Sequence, residues 1–115
     1  MKVYNKAKQT LIADKCEIAD NFFTRFKGLM GKKELPVGFG LFIKPCNGIH
    51  MFFMKIPLDI IFIDKEGIVV YTIENIKPWQ VSRIVKNAHS TIELPIGTIS
   101  QSCTQVGDNL QLTHI

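Results

Sequence analysis

The sequence predicts a mainly β protein, a compact β-sandwich or partly closed, jelly-roll-like barrel with one short helix near residues 20–30. Three observations lead there. Apolar residues come in short β-branched runs, the longest being Leu58-Asp59-Ile60-Ile61-Phe62-Ile63. Gly and Pro punctuate those runs at close intervals, as turns between strands do. One stretch has a different period: Phe22, Phe23, Phe26, Leu29 and Met30 fall at i, i+1, i+4, i+7 and i+8, which is one face of a helix.

From the N-terminus, Lys2 to Ile18 holds two β-leaning stretches, Thr10-Leu11-Ile12 and Cys16-Glu17-Ile18, divided by Asp14-Lys15. The helix follows, with Asp20 in the N-cap place and Gly28 or Gly31 to end it. After Pro36 the pattern returns to strands. Phe39 to Ile43 is one, stopped by Pro45 and an Asn47-Gly48 turn, and Ile49 to Met54 is another. Leu58 to Asp64 and Ile68 to Ile76, joined by Lys65-Glu66-Gly67, read as a hairpin in which Gly67 takes a positive φ. Both faces of the second run are largely apolar, so it is expected to be covered on both sides. Ala88 to Leu94 and Leu110 to Thr113 supply two further strands, with Pro95, Gly97 and Gly107-Asp108 as turns.

A chain of 115 residues, 46% of them hydrophobic, has the material for one core, and one domain over 1–115 is expected. No apolar run approaches the roughly 20 residues of a membrane helix. The charged start, Met1-Lys2-Val3-Tyr4-Asn5-Lys6, has no apolar segment behind it, so neither a signal peptide nor an anchor is expected and the location reads as cytoplasmic. Three cysteines, Cys16, Cys46 and Cys103, form no C-x-x-C pair and read as free thiols in a reducing compartment. The net charge of +4 is uneven: residues 1–33 hold eight Lys or Arg against three acids, the remainder six against seven. With Arg25 and Arg83 the only arginines and no basic motif interleaved with aromatics, a solvated face is preferred and no nucleic-acid partner is expected.

A set of motifs then occurs in order: Phe26-Lys27-Gly28-Leu29-Met30-Gly31, Gly40-Leu41-Phe42, Ile49-His50-Met51-Phe52-Phe53-Met54 and Pro57-Leu58-Asp59-Ile60-Ile61-Phe62-Ile63-Asp64. Gly67, Val69, Pro78-Trp79, Glu93-Leu94-Pro95-Ile96-Gly97 and Gly107-Asp108 follow. From about Arg25 to Leu110 the chain resembles the bacterial and archaeal family called domain of unknown function 192. The resemblance implies a compact β-sandwich-like fold and carries no activity with it. Many members of that family have Trp before the central Met and Asn-Thr after Met-Lys, where this chain reads Phe53-Met54-Lys55-Ile56-Pro57. Cys46 with Ile49-His50 and Pro78-Trp79 resembles one branch of it.

Four residues are candidates for chemistry. Asp59 sits inside an apolar strand, where a carboxylate must be hydrogen-bonded, paired or shifted in pKa. It reads either as a general base or as a structural acid receiving N–H groups from the Asn47-Gly48 or Met54–Pro57 region, and the structural reading is preferred. His50 is either a satisfied core histidine or an acid–base group, and the two residues would meet if their strands pair. Cys46 and His50 make a C-x₃-H spacing, with Cys103 and His114 as remote partners. A structural zinc site needs a tight cysteine pair that is missing, so no metal and no cofactor are expected. Trp79, after Pro78 and before Gln80, is either a binding platform or a lid on the core. Glu93 alternates with Ile92 and Leu94 and reads as a surface carboxylate.

Three functions remain open on this evidence. The leading one is a binding module whose polar and aromatic pocket, bordered by His50, Asp59 and Trp79, takes a small molecule, sugar or peptide, with Trp79, Cys46 and His50 as the ligand-binding residues. The second is a hydrolase or lyase using a His50/Asp59 acid–base pair. The third is a protein-interaction module docking through a strand edge or its basic face. A monomer or weak homodimer is expected.

Overall fold

The computed structural model describes all residues except Phe22, Phe23, Arg25, Phe26, His114 and Ile115. Among them run β1 (Lys2–Asn5), β2 (Thr10–Ala13), β3 (Lys15–Ala19), β4 (Phe39–Ile43), β5 (Leu58–Ile63) and β6 (Val69–Ile76). Then come β7 (Ser90–Leu94), helix α1 (Thr98–Ser102) and β8 (Leu110–Thr113). Two sheets result, a three-stranded one in the order β2-β1-β8 and a five-stranded one in the order β3-β4-β7-β5-β6. The larger sheet is antiparallel except for the parallel pairing of β3 with β4. The fold is mainly β, as the sequence predicts, and it is a pair of open sheets rather than a closed barrel.

Strand alternation divides β5 between two cores. Ile61 and Ile63 join Ile92, Leu94, Val3 and Ile12 in the core between the sheets. Leu58, Ile60 and Phe62 face the other way and join Leu41, Ile43 and Met51 beneath the covering loops. Each of the six β5 residues is buried. Full burial of a side chain such as Phe62 or Ile61, both at 0% exposure, stabilises the fold by roughly 1.5–3 kcal/mol.

The hairpin of β5 and β6 forms as expected, and Gly67 has φ +83°. A Cβ there would also lie 2.7 Å from the carbonyl of Leu110, so both the conformation and the close approach require glycine. β6 is not covered on both faces. It is the outer strand of its sheet and most of it is half-buried or exposed. The strands covered on both faces are β5 and β7, because each lies between two neighbours and between two cores.

The strand expected at Ile49–Met54 does not form. His50 makes an isolated bridge to Val81, and Phe53, at φ +63°, turns the chain out of extended conformation. Met51 and Met54 point into the core, while Phe52 and Phe53 are exposed. Of the helix expected near residues 20–30, Phe22, Phe23 and Phe26 lie outside the described residues. Thr24 and Lys27 are helical, and Asn21 Oδ1 accepts the Thr24 N–H at 2.9 Å; the residues that Asp20 would cap lie outside the described residues. Gly28, at φ +49°, donates to the Thr24 carbonyl and ends that turn.

Candidate functional site

Two loops that flank the five-stranded sheet are joined backbone to backbone. Met51 donates to Gln80 O at 2.7 Å, Trp79 donates to Met51 O at 2.8 Å, and Ser82 donates to Ile49 O at 2.9 Å. Gly31 donates to Phe53 O at 3.2 Å and brings in the segment after Gly28. Cys46 donates to His89 O, which ties the start of the first loop to the approach to β7.

Under these loops lies a small pocket of about 50 Å³. Lys27, Cys46, His50 and Glu93 supply its polar side chains, and Leu29, Ile43 and Met54 are among its apolar walls. Glu93 is the residue the sequence reading missed. β7 pairs with β5 and β4 so that Glu93 stands beside Ile60 and Leu41, which places its side chain on the loop-covered face. It is 6% exposed. Burial pushes its carboxyl up to about 7, because the charged form loses its water there. Among the described residues no hydrogen bond reaches this carboxylate, yet neither oxygen is sealed from the pocket. Gly28 leaves the space over it open: a Cβ at Gly28 would lie 3.5 Å from Oε1 and 4.0 Å from Oε2. The sequence signal was available in Thr91-Ile92-Glu93-Leu94, but alternation alone could not tell that both faces of this strand are covered.

His50 is half-buried, and its Nδ1 accepts the Phe52 N–H at 3.2 Å. A neutral ring therefore carries its proton on Nε2. The ring stacks on Phe52 at 4.9 Å. Phe52 in turn meets Trp79 at 6.0 Å, and Trp79 meets Phe53 at 5.0 Å. The structure thus brings His50 and Trp79 to one edge, linked through Phe52. Trp79 is 60% exposed and Phe53 is 65% exposed, so Trp79 does not close the core. Both have positive φ, +70° and +63°, an uncommon conformation for bulky residues. With Met30, Gly31, Met54 and Lys55 they line a groove. Met30 and Met54 border the Glu93 pocket as well, so the two spaces adjoin.

Asp59 is elsewhere. Its Oδ1 accepts the Asn75 N–H at 2.9 Å and its Oδ2 accepts the Ile99 N–H at 3.0 Å. The donors are β6 and α1, not the Asn47-Gly48 or Met54–Pro57 regions. Asp59 shares the inter-sheet face of β5 with Ile61 and Ile63, and the sheet separates it from the pocket that His50 lines. The acid–base pair of His50 with Asp59 therefore does not assemble. The carboxylate that shares a pocket with His50 is Glu93.

Cys46 Sγ donates to Gly48 O at 3.2 Å and borders the same pocket as His50. Cys103 is exposed at the end of α1, beside Lys8, Glu74 and Thr104, and His114 lies outside the described residues. Among the described residues no group of three His, Cys, Asp or Glu is placed to hold a metal ion. No helix among them is long and apolar enough to cross a membrane.

The sequence and the fold have known relatives. The family DUF192, described as an uncharacterised ACR, matches residues 3–112, and this chain belongs to that family. A UPF0127 protein of Thermococcus sibiricus is 34% identical over 111 residues, covering 92% of this chain and 71% of the relative. Another UPF0127 protein, from Pyrococcus abyssi, is 34% identical over 114 residues and 95% of each chain. The crystal structure of a protein of unknown function from Novosphingobium aromaticivorans superposes with a TM-score of 0.83 at 22% identity, over 96% of this chain and 82% of that one. That likeness shows the same fold.

Proposed function

We propose that this protein is a binding module whose site is the Glu93 pocket and the groove that adjoins it. The supporting observation is Glu93 itself: a carboxylate 6% exposed, without a hydrogen bond among the described residues, facing a space that Gly28 leaves open. A hydrogen bond to a charged group contributes about 1.5–3 kcal/mol, so a ligand that donates to this open carboxylate gains from it. The pocket, at about 50 Å³, admits a small head group, whereas whole ligand sites run to roughly 300–1,000 Å³. A hydroxyl or amide head at Glu93, with an apolar body along Met30, Met54, Phe53 and Trp79, fits both spaces. Small amphiphilic molecules and apolar peptides share that chemistry. If His50 acts as an acid or base in some reaction, its partner in the pocket is Glu93.

The test uses octyl glucoside, N-acetyl-leucinamide and free glucose as probes, followed by amide chemical shifts. The two probes with apolar bodies are expected to shift Glu93, Gly28 and Met54 in the wild-type protein and to bind more weakly to Glu93→Gln. Equal binding to both proteins, or shifts confined to other surfaces, would remove the pocket from consideration. A single tightly held water on Glu93 with no probe binding would give the pocket a purely structural role.

A further inference from the structure

The end of the molecule formed by the three interlocked segments has a charge pattern unlike the rest. Residues 27–33, 46–57 and 77–88 contain seven Lys or Arg and no Asp or Glu. All seven (Lys27, Lys32, Lys33, Lys55, Lys77, Arg83 and Lys86) are exposed. The rest of the chain carries seven cations against ten acids, among them the exposed Glu34 next to Lys33 and the buried Glu93 beneath this end. The backbone bonds from Gly31 to Phe53, from Met51 to Gln80 and from Ser82 to Ile49 hold the three segments together, so the cations belong to one surface.

The same surface presents large apolar side chains to solvent: Phe52, Phe53, Trp79, Val81 and Ile84, at 42–68% exposure. Phe53 and Trp79 are held outward at positive φ. Scattered apolar residues need no explanation, but five on two joined loops form a patch of the kind that marks an interaction site. Exposed aromatics on loops whose exposed charges are cations match the needs of an anionic lipid surface. The rings enter the headgroup boundary, and the cations meet the negative potential above it.

We propose that this end docks on an anionic lipid bilayer, with Phe53 and Trp79 at the headgroup boundary and Lys55 and Lys77 supplying cations on the same loops. A single-stranded nucleic acid would use the same charge, but it needs open ring faces on which bases can stack. Here His50 stacks on Phe52 at 4.9 Å and takes one of its faces, while Phe53 and Trp79 meet at a tilted 5.0 Å and remain exposed, so the aliphatic neighbours decide. Val81 and Ile84 offer aliphatic surface that bases do not use. The docking surface shares Phe53, Trp79 and Lys55 with the groove of the pocket reading but not Glu93, which lies beneath the loops and lines only the pocket.

Trp79 is the sole tryptophan, so its emission reports directly on this surface. The full chain is titrated with phosphatidylcholine vesicles, with and without phosphatidylserine, at low and at high salt, and sedimented with them. A blue shift and co-sedimentation with the anionic vesicles alone, both weakened by salt, are expected. The variant Lys55→Glu/Lys77→Glu should reduce partitioning by roughly tenfold or more, and Phe53→Asn, which tolerates the positive φ, should reduce it at unchanged salt dependence. Glu93→Gln should bind vesicles like wild type, which separates this proposal from the pocket. Unmoved Trp79 emission with the protein left in the supernatant would overturn it. Tighter binding to an oligothymidylate or to a poly-glutamate peptide than to anionic vesicles would overturn it as well.

Discussion

Asp59 caps a helix that begins 39 residues after it in the chain. Its Oδ2 accepts the Ile99 N–H at 3.0 Å, one of the unmade donors in the first turn of α1 (Thr98–Ser102). The N-cap residue of that helix, Gly97, has no side chain with which to do this. Oδ1 is engaged by the N–H of Asn75 at 2.9 Å, so one buried carboxylate ties β5 to β6 and to α1. Charge-assisted bonds of this kind are about twice as strong as neutral ones.

Asp59→Asn is therefore expected to destabilise the protein by roughly 1–3 kcal/mol. The amide keeps the shape but turns one acceptor into a donor, so one N–H must face another. Urea midpoints at unchanged m-value would measure the loss. A variant within about half a kcal/mol of wild type would match surface substitutions and would contradict the capping role.

Glu93 sets a pH dependence of opposite origin. Burial raises its carboxyl from 4.5 to about 7, so between those values the folded state holds a proton that the unfolded chain has released. Stability consequently falls as pH rises through that window. Below it both states are protonated and Glu93 costs nothing. Above it the penalty is complete, on the order of 3 kcal/mol at 1.36 kcal/mol per unit. Glu93→Gln should be about as stable as wild type in acid and more stable by about 1–3 kcal/mol above neutrality, since the amide also lacks partners there. Denaturation midpoints of the two proteins across that range would show the curves diverging with pH; parallel curves would mean that Glu93 is not the source.

Asn5 and Asp108 form a second polar tie, between β1 and the turn before β8. Asn5, at 0% exposure, donates from Nδ2 to Asp108 Oδ2 at 3.0 Å and to Thr104 Oγ1 at 3.1 Å. Lys8 Nζ reaches Asp108 Oδ1 at 2.8 Å. Burial alone would raise the Asp108 carboxyl, but hydrogen bonds from Asn5, Lys8 and the Gln105 backbone outweigh it and hold it below 3.8. This stabilisation is present above that value and is lost as pH falls through the folded-state pKa. Asn5→Ala should cost roughly 1–3 kcal/mol near neutrality, with a smaller deficit in strong acid, as thermal or urea unfolding would record.

The three thiols should differ in reactivity. Burial pushes the Cys16 thiol up to about 11, whereas Cys103 is exposed and Cys46 half-buried. Alkylation of the native protein by iodoacetamide should label Cys103 first and Cys16 last, because the thiolate is the reacting species and must be reached. Mass spectrometry of the partly labelled protein would give the order; early labelling of Cys16 would mean that the sheets open readily.

The linear pattern of residues by itself determined the mainly β class, the β5–β6 hairpin with Gly67 at its turn, and the strands β4, β7 and β8. Each of these rests on local chemistry: β-branched runs, a glycine where φ is positive, a proline where a ladder must stop. It also marked His50 and Trp79, which the structure sets at one edge, and Asp59, whose burial inside an apolar strand required partners. It could not name those partners, because Asn75 and Ile99 lie 16 and 40 residues away and no spacing rule links them. Nor could it see Glu93 as a pocket residue. Alternation in β7 says which residues share a face, and only the packing of loops 46–57 and 77–88 over the larger sheet decides that both faces are dry. The short helix α1 escaped for a related reason: five residues are too few to show a helical period, and its N-terminus is satisfied by a carboxylate from β5. What tertiary structure alone decided, then, is which buried acid is bonded and which is left facing a pocket. That outcome depends on long-range donors, and the order of residues along the chain carries no direct record of them.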